Sequence, residues 1–134
     1  MRSLTRRGKE ASLMALVLLA CLTLAACPSR ESPPRRQVSG GAAGPGRRAF
    51  LKYGCGGCHA IPGVEGARGR VAPPLWAFGE RAFVAGVLSN TPDNLIHWIM
   101  APQDVSPRTA MPNLGVTEQD ARDIAAFLYS LEGD

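Results

Sequence analysis

Five consecutive residues, Cys55-Gly56-Gly57-Cys58-His59, constrain the fold of this 134-residue chain more than any other feature. Two thiols three positions apart share one face of a helical turn, so both sulfurs can reach the two vinyl groups of one porphyrin. The histidine after the second thiol then lies under the ring, where its imidazole can ligate iron. This spacing is the attachment signature of a c-type haem. The sequence therefore predicts one haem c, bound covalently through Cys55 and Cys58 and ligated by His59.

Two other kinds of site can use such a motif. A thioredoxin-like dithiol needs a strand–helix–strand context, which the residues around Cys55 do not predict. A zinc site needs a fourth Cys or His ligand, and His97 is the one that remains outside the leader. Both alternatives predict a protein without haem, whereas we expect a haem-loaded protein.

The first 26 residues have the pattern of an export signal. A basic start is followed by an apolar run from Leu13 to Ala26, about fourteen residues, which is short for a membrane span and typical of a signal peptide. The run ends in Leu24-Ala25-Ala26-Cys27, which resembles the bacterial lipoprotein box, where the cysteine is lipidated and becomes the first mature residue. We expect residues 1–26 to be a signal peptide and Cys27 to anchor the exported protein on the periplasmic side of a bacterial membrane.

Other interpretations of this leader stay open. The segment could be a plain signal peptide or an uncleaved short anchor, and Leu18-Leu19-Ala20-Cys21 is a second, poorer box with leucine where a small residue is wanted. Export itself agrees with the haem prediction, because Cys55 and Cys58 would oxidise to each other in that compartment unless attachment consumed them.

The net charge of +4 belongs mostly to the leader. The first 27 residues hold four basic and one acidic side chain, which leaves eleven basic and ten acidic ones for residues 28–134. A mature chain that is nearly neutral lacks the dense basic stripe that nucleic acids require. We therefore expect no nucleic-acid partner.

The remaining sequence predicts a linker and one small helical domain. Residues 27–44 are rich in Pro, Gly and Ser and predict a flexible linker behind the lipid. Residues 45–134 predict an all-α domain with three main helices around the haem: one from about Arg47 to Cys58, one capped by Thr91 and stopped by Pro102, and one capped by Thr117. A shorter helical turn is predicted around Arg81–Leu88, and no segment alternates as a strand.

A sixth ligand for the iron has three candidates once Met1 and Met14 leave with the leader. Met111 precedes Pro112 in a loop before the last helix, and such a loop can lay a side chain over the far haem face. Met100 lies on an apolar helical face, where a core role is the default, and His97 is most simply a surface residue. A methionine paired with His59 would raise the reduction potential. We expect Met111, with Met100, His97 and an open site as alternatives.

Nearly all of residues 46–131 resembles class I cytochrome c. The matching stretches are Gly46–Phe50, Tyr53–His59, Ala72–Leu75, Met111-Pro112 and Ile124–Leu128. Further stretches are similar to the cytochrome c domains fused to subunit II of haem–copper oxidases, namely Gly79–Arg81, Gly86–Pro92, Asn94–Trp98, Pro102-Gln103 and Met111–Thr117. Because the linker begins at Cys27, with no copper-binding domain before it, we expect a free-standing, membrane-tethered relative.

The resemblance implies further roles for single residues. Pro73 matches the proline whose carbonyl accepts the other ring N–H of the proximal histidine. Arg81 and Trp98 match positions that commonly hydrogen-bond haem propionates. Four further residues match the positions where the first and last helices cross and pack together, namely Gly46, Phe50, Ile124 and Phe127.

The expected function is one-electron transfer between membrane-bound redox complexes, a terminal oxidase or a quinol-oxidising complex. We expect no enzyme activity and no small-molecule substrate, because both axial positions are filled and no acid–base pair is evident. Two alternatives stay open. One is a subunit bound within an oxidase or dehydrogenase complex, and the other is a haem sensor or peroxidase with a labile sixth ligand.

Overall fold

The computed structural model describes residues 36–131, so the predicted signal peptide and the lipid anchor at Cys27 lie outside the described residues. The helices are α1 (Ala43–Lys52), α2 (Pro92–Met100), the short α3 (Pro102–Val105) and α4 (Glu118–Ser130), and two 3-10 turns span Cys55–Gly57 and Phe78–Glu80. Two-residue strands β1 (Phe83–Val84) and β2 (Leu88–Ser89) pair antiparallel. The all-α class I cytochrome c fold expected from the sequence is confirmed, with a minimal hairpin added.

Helices α1 and α4 cross at Gly46. A Cβ at this position would lie 1.9 Å from the backbone oxygen of Asp123 and 2.8 Å from the Cβ of Phe127. Phe50 and Phe127 pack together at the crossing, with their ring centroids 5.8 Å apart in an edge-to-face arrangement. Ile124 of α4 is buried there as well. The role that the resemblance implies for these four residues is confirmed.

Helices α2 and α4 begin where their capping residues predict. The Thr91 hydroxyl accepts a hydrogen bond from the Asn94 N–H, with Pro92 at the first helical position. In the same way the Thr117 hydroxyl accepts from the Asp120 N–H. Helix α2 ends at Met100 because Pro102 cannot continue it, and that proline opens α3 instead.

The helical turn predicted for Arg81–Leu88 is wrong, because this segment forms the β-hairpin. Its turn uses Ala85 (φ 51°) and Gly86 (φ 74°), both in the left-handed region that suits a tight hairpin. Buried Asn90 fixes the hairpin by donating to the carbonyls of Phe78 and Arg81, each at 2.9 Å. The Tyr129 hydroxyl on α4 donates to the Asn90 side-chain oxygen at 2.8 Å, and burial raises the pKa of Tyr129 to about 12.

The flexible linker predicted for residues 27–44 is wrong over its described part, residues 36–44. Val38 is buried, the Ala42 N–H donates to the Asp123 carboxylate at 2.7 Å, and α1 already begins at Ala43. The composition of residues 36–44 does not predict that they pack against α4, because one apolar side chain and a few hydrogen bonds from the backbone are enough to hold them there. The domain therefore begins before residue 45.

The C-terminal end of α1 is joined to the first turn of α4 through Asp120. Its carboxylate accepts from the Tyr53 hydroxyl at 2.7 Å and from the Lys52 ammonium at 3.0 Å. These bonds hold the pKa of Asp120 below its ordinary value of 3.8, the Tyr53 bond contributing most.

Within the described part of the chain, no helix is both long and apolar enough to span a membrane.

Replacing Asp120 with asparagine is expected to lower the unfolding free energy at neutral pH and to flatten its acid dependence. A carboxylate whose pKa is lower in the folded state stabilises the fold in full above its unfolded pKa, and this stabilisation is lost as the pH falls through the folded value. Urea unfolding between pH 6 and pH 2 should show the gap between wild type and Asp120→Asn closing below about pH 4. Asp93→Asn, an exposed aspartate in the first turn of α2, serves as the control. A gap that stays constant with pH would refute this role for Asp120.

Candidate haem-binding site

The Cys55–His59 motif folds as one tight turn directly after α1. Helix α1 stops at Lys52, rather than running to Cys58 as predicted, because Gly54 adopts a left-handed φ of 71°. The following 3-10 turn has the N–H groups of Cys58 and His59 donating to the Cys55 carbonyl at 3.2 and 3.0 Å. A 3-10 turn has three residues per turn and therefore places positions i and i+3 on one face. The relation between Cys55 and Cys58 that haem attachment needs is kept, although the turn is not α-helical.

The chain after the motif folds back, and its backbone hydrogen-bonds to the backbone of the motif. The Ala72 N–H donates to the Cys58 carbonyl at 3.1 Å, and the Gly69 N–H donates to the Gly56 carbonyl at 2.9 Å. A Cβ on Gly56 would lie 2.2 Å from the Gly66 carbonyl oxygen, so this position in the motif requires glycine. The turn that presents the thiols is thus held by backbone contacts, and its side chains remain free for the cofactor.

His59 is oriented by the backbone of Pro73. Its Nδ1 lies 2.7 Å from the Pro73 carbonyl oxygen, the contact that the resemblance implies for this proline. The carbonyl can only accept, so Nδ1 carries the proton and donates, and in the neutral ring the lone pair then lies on Nε2. A hydrogen bond of this type fixes both the tautomer and the ring orientation of a metal-binding histidine. The imidazole is therefore prepared to ligate one metal ion through Nε2.

The donor set around the motif fits a haem better than the two alternatives. No group of three or more His, Cys, Asp or Glu side chains within residues 36–131 is arranged to hold a metal ion, so no zinc cluster forms there. Burial raises the pKa of the Cys55 thiol, whereas a reactive redox dithiol needs a lowered one. Two free thiols beside one oriented imidazole suit a haem, because the porphyrin itself supplies four of the iron's ligands and the protein needs to supply only the remaining ones.

Arg81 reaches into the loop that follows Pro73. Its guanidinium donates to the carbonyls of Pro74 and Trp76, the latter at 3.2 Å, and lies 5.3 Å from the centroid of the Phe78 ring. Burial lowers the pKa of Arg81, and no salt bridge among the described residues neutralises its charge. A half-buried cation beside Pro74, the residue after the one that orients His59, is a suitable partner for a carboxylate of the cofactor. Trp98, the other residue predicted to contact a propionate, is half-buried on α2 against the hydrophobic core.

Met111 lies half-buried in the loop between α3 and α4, and both of its backbone groups are held by side chains. Its carbonyl accepts from the Gln103 amide at 2.7 Å, and its N–H donates to the Thr109 hydroxyl at 3.2 Å. The rival candidates occupy α2, where Met100 packs against the core and His97 is exposed. The contacts of the loop give Met111 the fixed backbone that a ligating side chain needs.

The contacts of Gln103 and Thr109 with Met111 were not predicted from the sequence. Gln103 and Thr109 stand eight and two residues before Met111, and neither spacing is a signal for a hydrogen bond to it. Side-chain-to-backbone bonds of this kind follow no periodicity. The path of the loop must be known before they can be recognised.

Arg68 and Arg70, which the sequence places soon after the motif, are exposed. Together with Pro74 and the partly exposed Trp76 they line an open groove on the 60–76 loop. Glu65 also lines the groove, so two cations and one carboxylate beside an exposed indole leave a net positive surface that can meet an acidic partner.

The fold and this arrangement define a small haem-binding electron-transfer domain, and comparison with known proteins gives its family. The model of the family "Cytochrome c" matches residues 43–132. The chain belongs to the cytochrome c family. Its cofactor is a covalently bound haem c, with Cys55 and Cys58 at the attachment positions, and the family supports electron transfer by this domain.

Three relatives are described as cytochrome c oxidase subunit 2. The protein of Alkalihalophilus pseudofirmus is 39% identical over 88 residues, which is 65% of this chain and 25% of the relative. The protein of Bacillus sp. strain PS3 is 33% identical over 88 residues, which is 63% of this chain and 25% of the relative. The protein of Bacillus subtilis is 35% identical over 86 residues, which is 63% of this chain and 24% of the relative. The chain thus spans about a quarter of the length of these relatives.

Proposed function

We propose that this protein is a membrane-tethered, one-electron carrier in which His59 and Met111 are the axial ligands of the haem iron. The contact between His59 Nδ1 and the Pro73 carbonyl carries the proposal, because it leaves Nε2 available for the iron. The hydrogen bonds from Gln103 and Thr109 to Met111 support the second ligand. When bound, the haem supplies a ferric/ferrous couple, and the side chains of this domain position it and supply its ligands.

A carrier of this kind needs no catalytic residue. Pro73 holds His59 in one orientation. Arg81 would supply a positive charge to the haem carboxylates, and Met111 would hold the iron and exclude outside ligands from it. With the iron held by both His59 and Met111, an added small molecule would have to displace Met111 in order to bind. The same arrangement disfavours the peroxidase and gas-sensor alternatives.

Carbon monoxide binding to the reduced protein tests this proposal. Firm ligation by Met111 predicts that the spectrum changes little on adding carbon monoxide at neutral pH within minutes. Rapid and complete binding would mean that Met111 is not a firm ligand, and it would favour the sensor or peroxidase function.

The lipid anchor at Cys27 is supported by the leader sequence, since this residue lies outside the described structure. Cys27→Ser is expected to release most of the protein from washed membranes into the soluble periplasmic fraction, because one lipid-modified cysteine is the proposed attachment. Fractionation followed by a haem stain measures the effect, and Cys21→Ser, in the poorer box, is the matched control. Continued membrane association of the Cys27→Ser protein would favour an uncleaved anchor or a stably bound complex.

The proposed electron acceptor is a terminal oxidase, because the relatives are described as oxidase subunits. The groove with Arg68 and Arg70 supports an acidic docking face on that partner. Purification of the full chain from detergent-solubilised membranes tests the partner. An oxidase that remains bound at high salt would identify this chain as a complex subunit, whereas an oxidase lost on raising the salt agrees with a shuttle.

A further inference from the structure

We propose that Gln103 is a positioning residue for Met111, holding the backbone of this residue so that its sulfur stays on the iron. The inference rests on the proposed ligation by Met111 and adds the group that maintains it. Gln103 would act on the ligand and not on the iron or the porphyrin itself. It acts through one hydrogen bond, from its side-chain amide to the Met111 carbonyl at 2.7 Å.

The backbone around Gln103 is held in place by its neighbours in α3. It is the second residue of α3, directly after the fully buried Pro102, and its side chain is half-buried. The Asp104 N–H donates to the Ala101 carbonyl, and the Ser106 N–H donates to the Pro102 carbonyl. These two hydrogen bonds hold the backbone of α3 on both sides of Gln103. Its amide therefore projects from a fixed backbone toward the loop.

The Met111 loop has few other restraints on its backbone. Residues 106–117 contain neither helix nor strand, and the backbone–backbone bond described inside the loop joins the Thr109 N–H to the Ser106 carbonyl at 2.9 Å. Pro112, Asn113 and Leu114 directly after the methionine are exposed. The two side-chain bonds at Met111 thus fall where the packing of the loop is poorest.

The two bonds differ in what they can achieve. The Thr109 hydroxyl accepts from the Met111 N–H only two residues away, so it shapes the loop locally. The Gln103 amide comes from a separate helix that follows α2, and it is therefore the contact that ties the methionine to the body of the domain. Losing one such bond changes the balance between bound and released methionine by about fivefold to tenfold.

The test is an imidazole titration of the oxidised, haem-loaded full chain, followed by the haem absorption. Imidazole nitrogen replaces the Met111 sulfur on the iron with no change in oxidation state, so its apparent affinity reports how readily the methionine leaves. Gln103→Leu is expected to bind imidazole about tenfold more tightly than wild type. Gln103→Glu, which has the same shape but no N–H donor at neutral pH, should show a similar increase.

Gln119→Leu is the matched control. Gln119 is exposed on α4 and donates to the Gly40 carbonyl at 2.8 Å, a bond of the same type that reaches the segment before α1 instead of the Met111 loop. Its imidazole affinity should stay within twofold of wild type. The proposal is supported if Gln103→Leu and Gln103→Glu both shift and Gln119→Leu does not.

Two results would overturn the inference and can be told apart with Met111→Ala. If this variant binds imidazole far more tightly than wild type while Gln103→Leu or Gln103→Glu does not, ligation by Met111 stands and positioning by Gln103 is wrong. If Met111→Ala and wild type bind imidazole equally, the ligand itself has been misassigned, and both proposals fall.

Discussion

The Met111→Ala protein is expected to keep its covalent haem and to lose the weak far-red absorption band that arises from sulfur bound to ferric iron. Attachment depends on Cys55 and Cys58, which the substitution does not touch, whereas the soft sulfur ligand that favours ferrous iron is removed. The midpoint potential should fall by on the order of 0.1–0.2 V, a part of the range over which axial ligands set haem potentials. The reduced variant should also bind carbon monoxide within seconds.

The control for this experiment is Met100→Leu. Met100 packs against the core from α2, and leucine conserves most of its volume, so the far-red band and the potential should both stay close to wild type. An unchanged spectrum in Met111→Ala, together with a lost band in Met100→Leu, would move the sixth ligand to Met100. An unchanged spectrum in both variants would direct attention to His97.

The Gly46→Ala protein is expected to be much less stable than wild type. The added Cβ would lie 1.9 Å from the Asp123 carbonyl oxygen, which belongs to the backbone of α4 and cannot rotate away. The helices must therefore separate, and the contact between Phe50 and Phe127 loosens with them. We expect a loss of about 3 kcal/mol in the unfolding free energy, near the upper end for overpacked cores. For a domain of this size, such a loss lowers the melting temperature by roughly 10–20 °C.

Gly44→Ala is the matched control, since it makes the same substitution in the same helix. No atom lies within 4 Å of the Cβ that would be added there, and alanine is the better helix former. Thermal unfolding of the haem-loaded protein should show Gly44→Ala equal to or slightly more stable than wild type. Similar melting temperatures for both variants would contradict the close crossing at Gly46.

The sequence predicts the helices that carry explicit end signals. Thr91 with Pro92, and Thr117 three residues before Asp120, place the starts of α2 and α4 correctly, because a cap is a local interaction that the neighbouring residues determine. The end of α1 was predicted too late. A glycine inside a helical pattern does not by itself reveal that it adopts a positive φ, as Gly54 does.

The remaining differences come from contacts between distant parts of the chain. The hairpin after Arg81 depends on Asn90 and on Tyr129, which is 39 residues further along, and no periodicity of the segment itself shows this. Residues 36–44 likewise look like linker until Val38 and Ala42 are seen against α4. At the site, the motif and Met111 are recognisable from residue type and spacing, whereas Gln103 requires the path of the loop.

Spectroelectrochemical titration of the purified, haem-loaded full chain tests the central claim most directly. We predict a reversible transition that fits one electron, in which the far-red sulfur band is present in the oxidised protein, disappears on reduction and returns on reoxidation. A chain purified from an export-competent, haem-maturing host that lacks haem, or an oxidised spectrum without the sulfur band, would contradict the account of a His59/Met111-ligated electron carrier.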